Sequence, residues 1–181
     1  TCALPISSLV DRLEGLKEGE SGLFGVPAGY ENIVQENNSA LPTKIRIPAV
    51  GVDGPIENPA SVSVSVLDQA LQKGAVRYPG SGTPAVGNML LFGHSTSFSV
   101  VNNNAYKVFN GLSKLNPGDQ IFVEVGDKEY VYSVVKVRLV DSRDTLVEFG
   151  NTRHMLTLST CNSFGEATDR YVVEADFVKE S

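Results

Sequence analysis

Residues 120–140 read QIFVEVGDKEYVYSVVKVRLV, and this stretch does most to decide the fold. Two runs rich in valine and aromatic residues, 120–125 and 129–140, flank the turn Gly126-Asp127-Lys128. β-Branched and aromatic residues favour strands, and two such runs around a glycine-containing turn predict a β hairpin. The sequence therefore predicts an antiparallel pair of strands in the second half of the chain.

Runs of the same kind occur on both sides of this hairpin. The pattern predicts further strands at 45–50, 61–66, 88–92, 154–160 and 171–178. The run at 61–66 is assigned to a strand because serine and valine alternate there with the period of two that a half-buried strand shows. About seven or eight strands with turns at regular spacing favour an all-β fold, either a closed barrel or a sandwich.

Helical patterns are short and few. Leu67, Ala70 and Leu71 predict one or two helical turns that end at Gly74. A second short helix is predicted before the turn at 116–119. Its apolar positions are Val108, Leu112 and Leu115.

The composition limits the classes of protein to consider. The chain has 181 residues, of which 41% are hydrophobic, with 15 basic and 21 acidic side chains and a net charge of −6. These values favour one ordinary globular domain and exclude disorder and a disulfide scaffold. The acidic balance argues against nucleic acid as a partner, and no apolar run reaches the roughly 18–20 residues of a membrane helix.

The first 44 residues differ from the rest in composition and in hydrophobic pattern. Leu9, Val10, Leu13 and Leu16 have the spacing of a short amphipathic helix, and a glycine-rich and then asparagine-rich stretch follows. We interpret 1–44 as an N-terminal extension or linker and 45–181 as the compact domain. Because the sequence starts at Thr1, we expect a trimmed segment from which a signal or anchor is missing.

The two cysteines, Cys2 and Cys161, give little support for a disulfide. No Cys-x-x-Cys occurs, and two histidines are too few for a zinc-finger-like ligand set. The acidic residues Asp141, Asp144 and Glu148 are interpreted as a solvated loop. We therefore predict no metal site and no cofactor.

Cys161 lies at the exit of one predicted strand, and Arg170 opens the next. If the two strands form a hairpin, Cys161 and Arg170 approach each other across the loop between them. A guanidinium near a thiol lowers the thiol pKa and can donate to an oxyanion. A buried structural cysteine beside a surface arginine explains the same residues equally well.

A nucleophilic cysteine needs a base, and the candidates are His94 and His154. His154 precedes Cys161 by an odd number of residues in one predicted strand, so the two positions would lie on opposite faces, roughly 23 Å apart. We therefore expect His154 at a strand edge or on the surface. His94 ends another predicted buried strand at the turn Gly93-His94-Ser95 and is the better candidate.

With these pieces in this order, the chain resembles the sortase family of cysteine transpeptidases. The resemblance spans roughly 45–178. The matching motifs are Ile47-Pro48, Val52-Asp53-Gly54-Pro55-Ile56, Tyr78-Pro79-Gly80, Gly87-Asn88 through Gly93-His94, Pro117-Gly118-Asp119, and Thr157-Leu158-Ser159-Thr160-Cys161 followed by Arg170.

The resemblance implies an eight-stranded closed β barrel with a few short helices, on the outer face of a bacterial membrane and tethered by an anchor that this sequence lacks. It implies a transpeptidase that cleaves a C-terminal sorting motif of the Leu-Pro-x-Thr-Gly kind on surface proteins. The product would be joined to an amine of a cell-wall precursor or pilin.

The resemblance also implies roles for individual residues. Cys161 would be the nucleophile that forms a thioacyl enzyme, His94 the general acid and base, and Arg170 the group that holds substrate or the oxyanion. Ser159 and Thr160, just before the nucleophile, would contact substrate.

Several details bear on the subclass and on other functions. The string Thr157–Cys161 looks closest to the class B and class D versions of the motif, and 1–44 contains no Asp-Pro of the kind found in pilin-polymerising members. An L,D-transpeptidase is disfavoured because its Ser-x-Gly-Cys context is absent. Two alternatives stay open: a cysteine peptidase that hydrolyses its substrate, and a non-catalytic β-barrel binding module at the cell surface.

Overall fold

The computed structural model describes residues 41–84, 86–96, 98, 100–141, 153–161 and 169–181, and at 141, 161 and 169 it describes the backbone. The strands are β1 Lys44–Ile47, β2 Val52–Glu57, β3 Ala75–Arg77, β4 Asn88–Gly93, β5 Gln120–Val125, β6 Lys128–Asp141, β7 Met155–Cys161 and β8 Asp169–Glu180. The helices are α1 Val64–Leu71 and the 3₁₀ helices η1 Pro48–Val50, η2 Asn104–Lys107 and η3 Leu112–Lys114.

The eight strands of the described residues close into a barrel in the order β1-β2-β3-β4-β7-β8-β6-β5, and β5 pairs with β1. The predicted all-β closed barrel with a few short helices is therefore confirmed, and the sandwich is wrong. The hairpin predicted at 120–140 is also confirmed, because β5 and β6 pair antiparallel from Val125↔Lys128 to Gln120↔Ser133.

The barrel wall has one apolar inner face. In the three neighbouring strands β4, β7 and β8, alternate residues belong to the main core cluster inside the barrel. These residues are Met89, Leu91, Leu156, Leu158, Val173 and Ala175. Because side chains alternate along a strand, the residues between them belong to the outer face of the wall.

The strand predicted at 61–66 is wrong. Residues 61–66 are exposed, and α1 begins at Val64 with Ser63 as its N-cap. Strands β2 and β3 pair parallel, Ile56↔Ala75, and a parallel pair requires a crossover connection. Helix α1 is that crossover, and it buries the Leu67–Leu71 stripe whose spacing indicates a helix.

The helix predicted around Val108, Leu112 and Leu115 is also wrong in form. All three side chains are buried as their spacing predicts, but the chain forms the two 3₁₀ helices η2 and η3 instead. Between them Gly111 adopts φ 85°, a left-handed conformation that interrupts an α-helix. The prediction also missed β3, and it placed a turn at 51–55, where the first part of β2 lies.

Several predictions lie outside the described residues: the helix at 9–16, most of the extension 1–44, and most of the acidic loop that contains Asp144 and Glu148. Within the described ranges, no helix of the kind that could span a membrane occurs.

Candidate active site

The pairing of three neighbouring strands brings the three predicted catalytic residues into one row. Strands β4 and β7 pair parallel, and their last paired residues are Gly93 and Thr160. The residues that follow them, His94 and Cys161, therefore lie side by side. Strands β7 and β8 pair antiparallel with Cys161 opposite Arg170. Neighbouring strands lie about 4.8 Å apart, so the backbones of His94 and Arg170 flank that of Cys161 closely on either side.

All three positions belong to the outer face of the wall. Thr157 and Ser159 precede Cys161 on this face at alternate positions, while Leu156 and Leu158 fill the barrel interior. Arg170 is only 4% exposed although it begins a strand on the outer face. The predicted approach of Cys161 and Arg170 across a hairpin is confirmed as a backbone register.

His94 follows directly on Gly93, whose missing side chain lets a loop approach. A Cβ at Gly93 would lie 2.8 Å from Val108 Cγ1 and 2.9 Å from Phe109 Cδ2. In that close approach the backbone N–H of Phe109 donates to the carbonyl oxygen of His94 at 3.0 Å. The loop thereby holds the backbone of His94 in line with strand β4.

A second contact fixes the chain just beyond His94. The side chain of Asn110 binds both backbone groups of Thr96. Its Oδ1 accepts a hydrogen bond from the Thr96 N–H at 2.8 Å, and its Nδ2 donates to the Thr96 carbonyl at 3.1 Å. These bonds extend the strand-like path of the backbone past the end of β4. His94 therefore lies between two anchored points.

The environment of the His94 ring favours its neutral form. Burial lowers the pKa of His94 below its ordinary value, because a charged imidazolium is poorly solvated there, and the Asp68 carboxylate raises it in part. The ring of Tyr106 lies against it, with 5.2 Å between the ring centroids. The side chain of His94 is nevertheless only half-buried.

The two predicted substrate-contacting residues lie on opposite faces of the wall. Thr160 is 3% exposed, and its hydroxyl donates to the Gly93 carbonyl at 2.8 Å, which ties the end of β7 to the end of β4. Ser159 shares the outer face with Cys161. Their roles toward substrate stay predictions.

His154 lies far from this row. It is exposed, just before the other end of β7, and its ring contacts Phe177 with centroids 5.9 Å apart. The predicted surface position of His154 is therefore confirmed. The sequence did not indicate Asn103, Tyr106 or Asn110, because each acts through a contact that forms only in the folded chain. These contacts are with Gln72, His94 and Thr96 respectively.

The chain and its barrel fold have known counterparts. The family model described as the Sortase domain matches residues 45–178. The chain therefore belongs to the sortase family. It is 29% identical over 135 residues to sortase A of Bacillus anthracis, a match that covers 75% of this chain and 59% of that protein. It is 31% identical over 108 residues to sortase D of Bacillus subtilis (strain 168), covering 57% and 50%.

Solved structures show the same fold. Sortase A of Listeria monocytogenes superposes with a TM-score of 0.64 at 22% identity, covering 78% of this chain and 90% of that one. Sortase C1 of Streptococcus agalactiae gives a TM-score of 0.62 at 27% identity, covering 76% and 67%. The chain spans between half and three fifths of the length of the two Bacillus relatives.

Proposed function

We propose that the protein is a sortase-type cysteine transpeptidase. It would cleave a C-terminal sorting motif of the Leu-Pro-x-Thr-Gly kind and pass the acyl group to an amine of a cell-wall precursor or pilin. The observation that carries the proposal is the register that aligns His94, Cys161 and Arg170 across β4, β7 and β8. Family membership over 45–178 supports the same reaction class.

In the first half of the proposed reaction, the Cys161 thiolate attacks the scissile carbonyl carbon and the carbonyl oxygen becomes an oxyanion. Arg170 donates hydrogen bonds to that oxyanion, where its fixed charge is most effective because the residue is buried. The His94 imidazolium gives its proton to the departing amine. The products are a thioester on Cys161 and a free amine.

In the second half, the acceptor amine attacks the thioester carbonyl. His94, now neutral, takes the proton of the attacking amine, and the Cys161 thiolate departs as the new amide forms. The same residue thus serves as acid and then as base. Its position in line with the nucleophile fits both steps, since the departing and arriving amines use the same side of the carbonyl.

The pKa of His94 bears on this cycle. Burial lowers the pKa, so near neutral pH most molecules carry a neutral imidazole. The thiolate–imidazolium pair that the first step requires is then a minority form. We therefore expect only a minor fraction of the enzyme to carry the active pair near neutral pH, and a substitution that lowers the His94 pKa to reduce that fraction further.

The remaining assignments follow from the same proposal. Ser159 and Thr160 would contact the sorting motif beside the nucleophile. The partners would be surface proteins that carry the motif, and the enzyme would act on the outer face of the bacterial membrane. The assignment of Thr157–Cys161 to class B or class D stays a prediction.

Two alternatives predict different products or no products. A hydrolytic peptidase would use the same three residues with water as the acceptor. A non-catalytic binding module would use the barrel surface and leave the peptide intact.

An experiment with a library of Leu-Pro-x-Thr-Gly-type peptides separates the three. The wild type and Cys161→Ala are incubated with each peptide, with and without an amine acceptor, and the products are identified by mass spectrometry; Cys2→Ala is the matched cysteine control. We expect an amide product that requires the amine and Cys161 but not Cys2. Hydrolysis that ignores the amine would favour the peptidase, and intact peptides with retained binding would favour the binding module.

A further inference from the structure

Tyr106 is the aromatic neighbour of His94. It lies on η2, outside the barrel strands, and its ring centroid is 5.2 Å from that of His94 with the planes tilted by 53°. Tilted aromatic rings at this separation are in favourable contact. The phenol ring therefore covers part of the imidazole surface and limits how far the imidazole can turn.

The position of Tyr106 is fixed by Asn103, which makes two hydrogen bonds in opposite directions. Its Oδ1 accepts the N–H of Ala105 at 3.0 Å and so caps the start of η2. Its Nδ2 donates to the carbonyl of Gln72 at 2.7 Å, just after the last residue of α1. One side chain thus joins η2 to the end of α1.

Helix α1 is itself anchored to the wall that carries His94. Leu67, Ala70 and Leu71 pack with Val76 of β3, and Phe92 of β4 packs against this cluster. On the other side, the Phe109 N–H binds the His94 carbonyl. The Tyr106 ring is therefore held relative to His94 from both ends of the segment 103–109.

We propose that Tyr106, held in place by Asn103, is the positioning residue for His94: its ring sets the orientation in which the imidazole delivers and receives the proton. The proposal rests on the transpeptidase function proposed above. Tyr106 acts through His94, so its effect belongs to the proton-transfer steps. Loss of the ring lowers kcat and leaves the binding of the sorting peptide unchanged.

The ring also shields His94 from water. Without it, water reaches the imidazole and stabilises the imidazolium, so the pKa of His94 rises toward its ordinary value. Among the described residues, the charged groups on the elements around His94 are Asp68, Lys107 and Arg170, and the backbone of Cys161 lies beside it in the register. None of these is altered by a substitution at Tyr106, so a change in titration reports on the ring.

The chain offers a direct measurement because it has only two histidines. The imidazole C–H signals of the full chain are titrated by NMR in a Cys161→Ala background, where no thiol at the site titrates together with His94. The variants are Tyr106→Ala and Tyr106→Phe. Exposed His154, against Phe177, is the internal control. Steady-state kinetics of peptide transfer are measured with the same substitutions in the Cys161 enzyme.

We expect Tyr106→Ala to lower kcat about 10-fold at constant KM, which is less than the 10²–10⁴ of a lost general acid. The pKa of His94 rises, and the pKa of His154 does not change. Tyr106→Phe restores both kcat and the pKa of His94. Asn103→Ser keeps an oxygen that can cap η2 but is too short to reach Gln72. Asn103→Ser should give a smaller fall in kcat and a smaller rise in the His94 pKa than Tyr106→Ala. It tests the proposal if Tyr106→Ala does not fold, and Asn116→Ser is the surface control.

Wild-type kcat in Tyr106→Ala, a change confined to KM, or an unmoved His94 titration would each overturn the proposal. A wild type that transfers no peptide would instead contradict the proposed function, and the NMR titration would still test the contact between the two rings.

Discussion

Two arginines of the barrel are equally buried, at 4% exposure each, yet their surroundings differ. Arg77, at the end of β3, is bonded to nearby chain: its Nη1 donates to the carbonyls of Ser81 and Gly82 at 2.8 and 3.3 Å, and its Nε donates to Asn58 Oδ1 at 3.2 Å. Arg170 begins β8 directly opposite Cys161.

The difference separates a buried charge with a structural role from one to which we assign a proposed catalytic role. A buried guanidinium that binds carbonyls of its own loop holds that loop in place. Asn58, which accepts from Arg77, also donates to the Pro42 carbonyl at 2.7 Å and so links this loop to the residues before β1. A buried guanidinium in line with a cysteine and a histidine is placed for an oxyanion. Burial alone identifies neither role, and position in the strand register separates them.

The largest expected effect is that of Arg170→Lys on catalysis. Lysine keeps the charge but loses the planar fork of donors, so it cannot bind the oxyanion in the same geometry. We expect kcat/KM per folded molecule to fall about 10²–10³-fold and the free energy of unfolding to fall by about 1–3 kcal/mol, because the side chain is buried. Peptide-transfer kinetics and urea denaturation measure the two quantities. Wild-type activity in this variant would place Arg170 in the same category as Arg77.

Arg77→Met should give the opposite result. It removes the guanidinium from three acceptors on residues 58, 81 and 82, of which the Ser81 carbonyl is buried and the other two are partly buried. We expect the free energy of unfolding to fall by about 3 kcal/mol. Activity per folded molecule should be unchanged, since the site lies on other strands. Urea denaturation followed by active-site titration measures both. A variant of normal stability that transfers no peptide would contradict the comparison.

The sequence predicted the parts of the site that depend on local pairing. Cys161 and Arg170 are joined by one short connection, so strand alternation and a hairpin suffice to place them opposite each other. His94 is different, because β4 and β7 pair parallel across 67 residues, the separation of Gly93 and Thr160. Spacing cannot show that pairing, and the choice of His94 rested on the exclusion of His154 and on the family resemblance.

The parts that the sequence missed depend on tertiary context. The alternation at 61–66 has the period of a strand, but no sheet face is available to it, and the crossover between β2 and β3 makes it the start of α1. Arg77 carries no sequence mark of burial, because an arginine in a short strand is usually exposed. The burial of Arg77 is therefore visible only in the folded structure.

Gly93→Ala tests whether structural packing also sets the catalytic geometry. The added methyl would contact Val108 and Phe109 at 2.8–2.9 Å, so the segment bonded to the His94 carbonyl must shift. We expect kcat to fall about 10-fold or more and stability to fall by about 1–3 kcal/mol.

Gly54→Ala in β2 is the matched control for this substitution. Its Cβ would meet the same Val108 side chain, at 3.2 Å, from a strand that carries none of the three catalytic residues. We expect a smaller loss of stability and normal kcat. An equal loss of kcat in both variants would show that the effect comes from Val108 and not from the displacement of His94.

The smallest expected effect is that of Asp68→Asn on the titration of His94. The Asp68 carboxylate raises the pKa of His94 against the lowering that burial causes, so removing its charge lowers that pKa further. A lower pKa leaves less imidazolium at neutral pH, so peptide transfer at neutral pH should be slower than in the wild type.

Because Asp68 is exposed, salt screens its charge, and the difference from wild type should shrink between low salt and about 1 M. NMR titration of the two histidines in the Cys161→Ala background measures the change, with Asp127→Asn in the β5–β6 turn as the control for net charge. An upward shift of His94, or an equal shift with Asp127→Asn, would mean that Asp68 does not act on the imidazole directly.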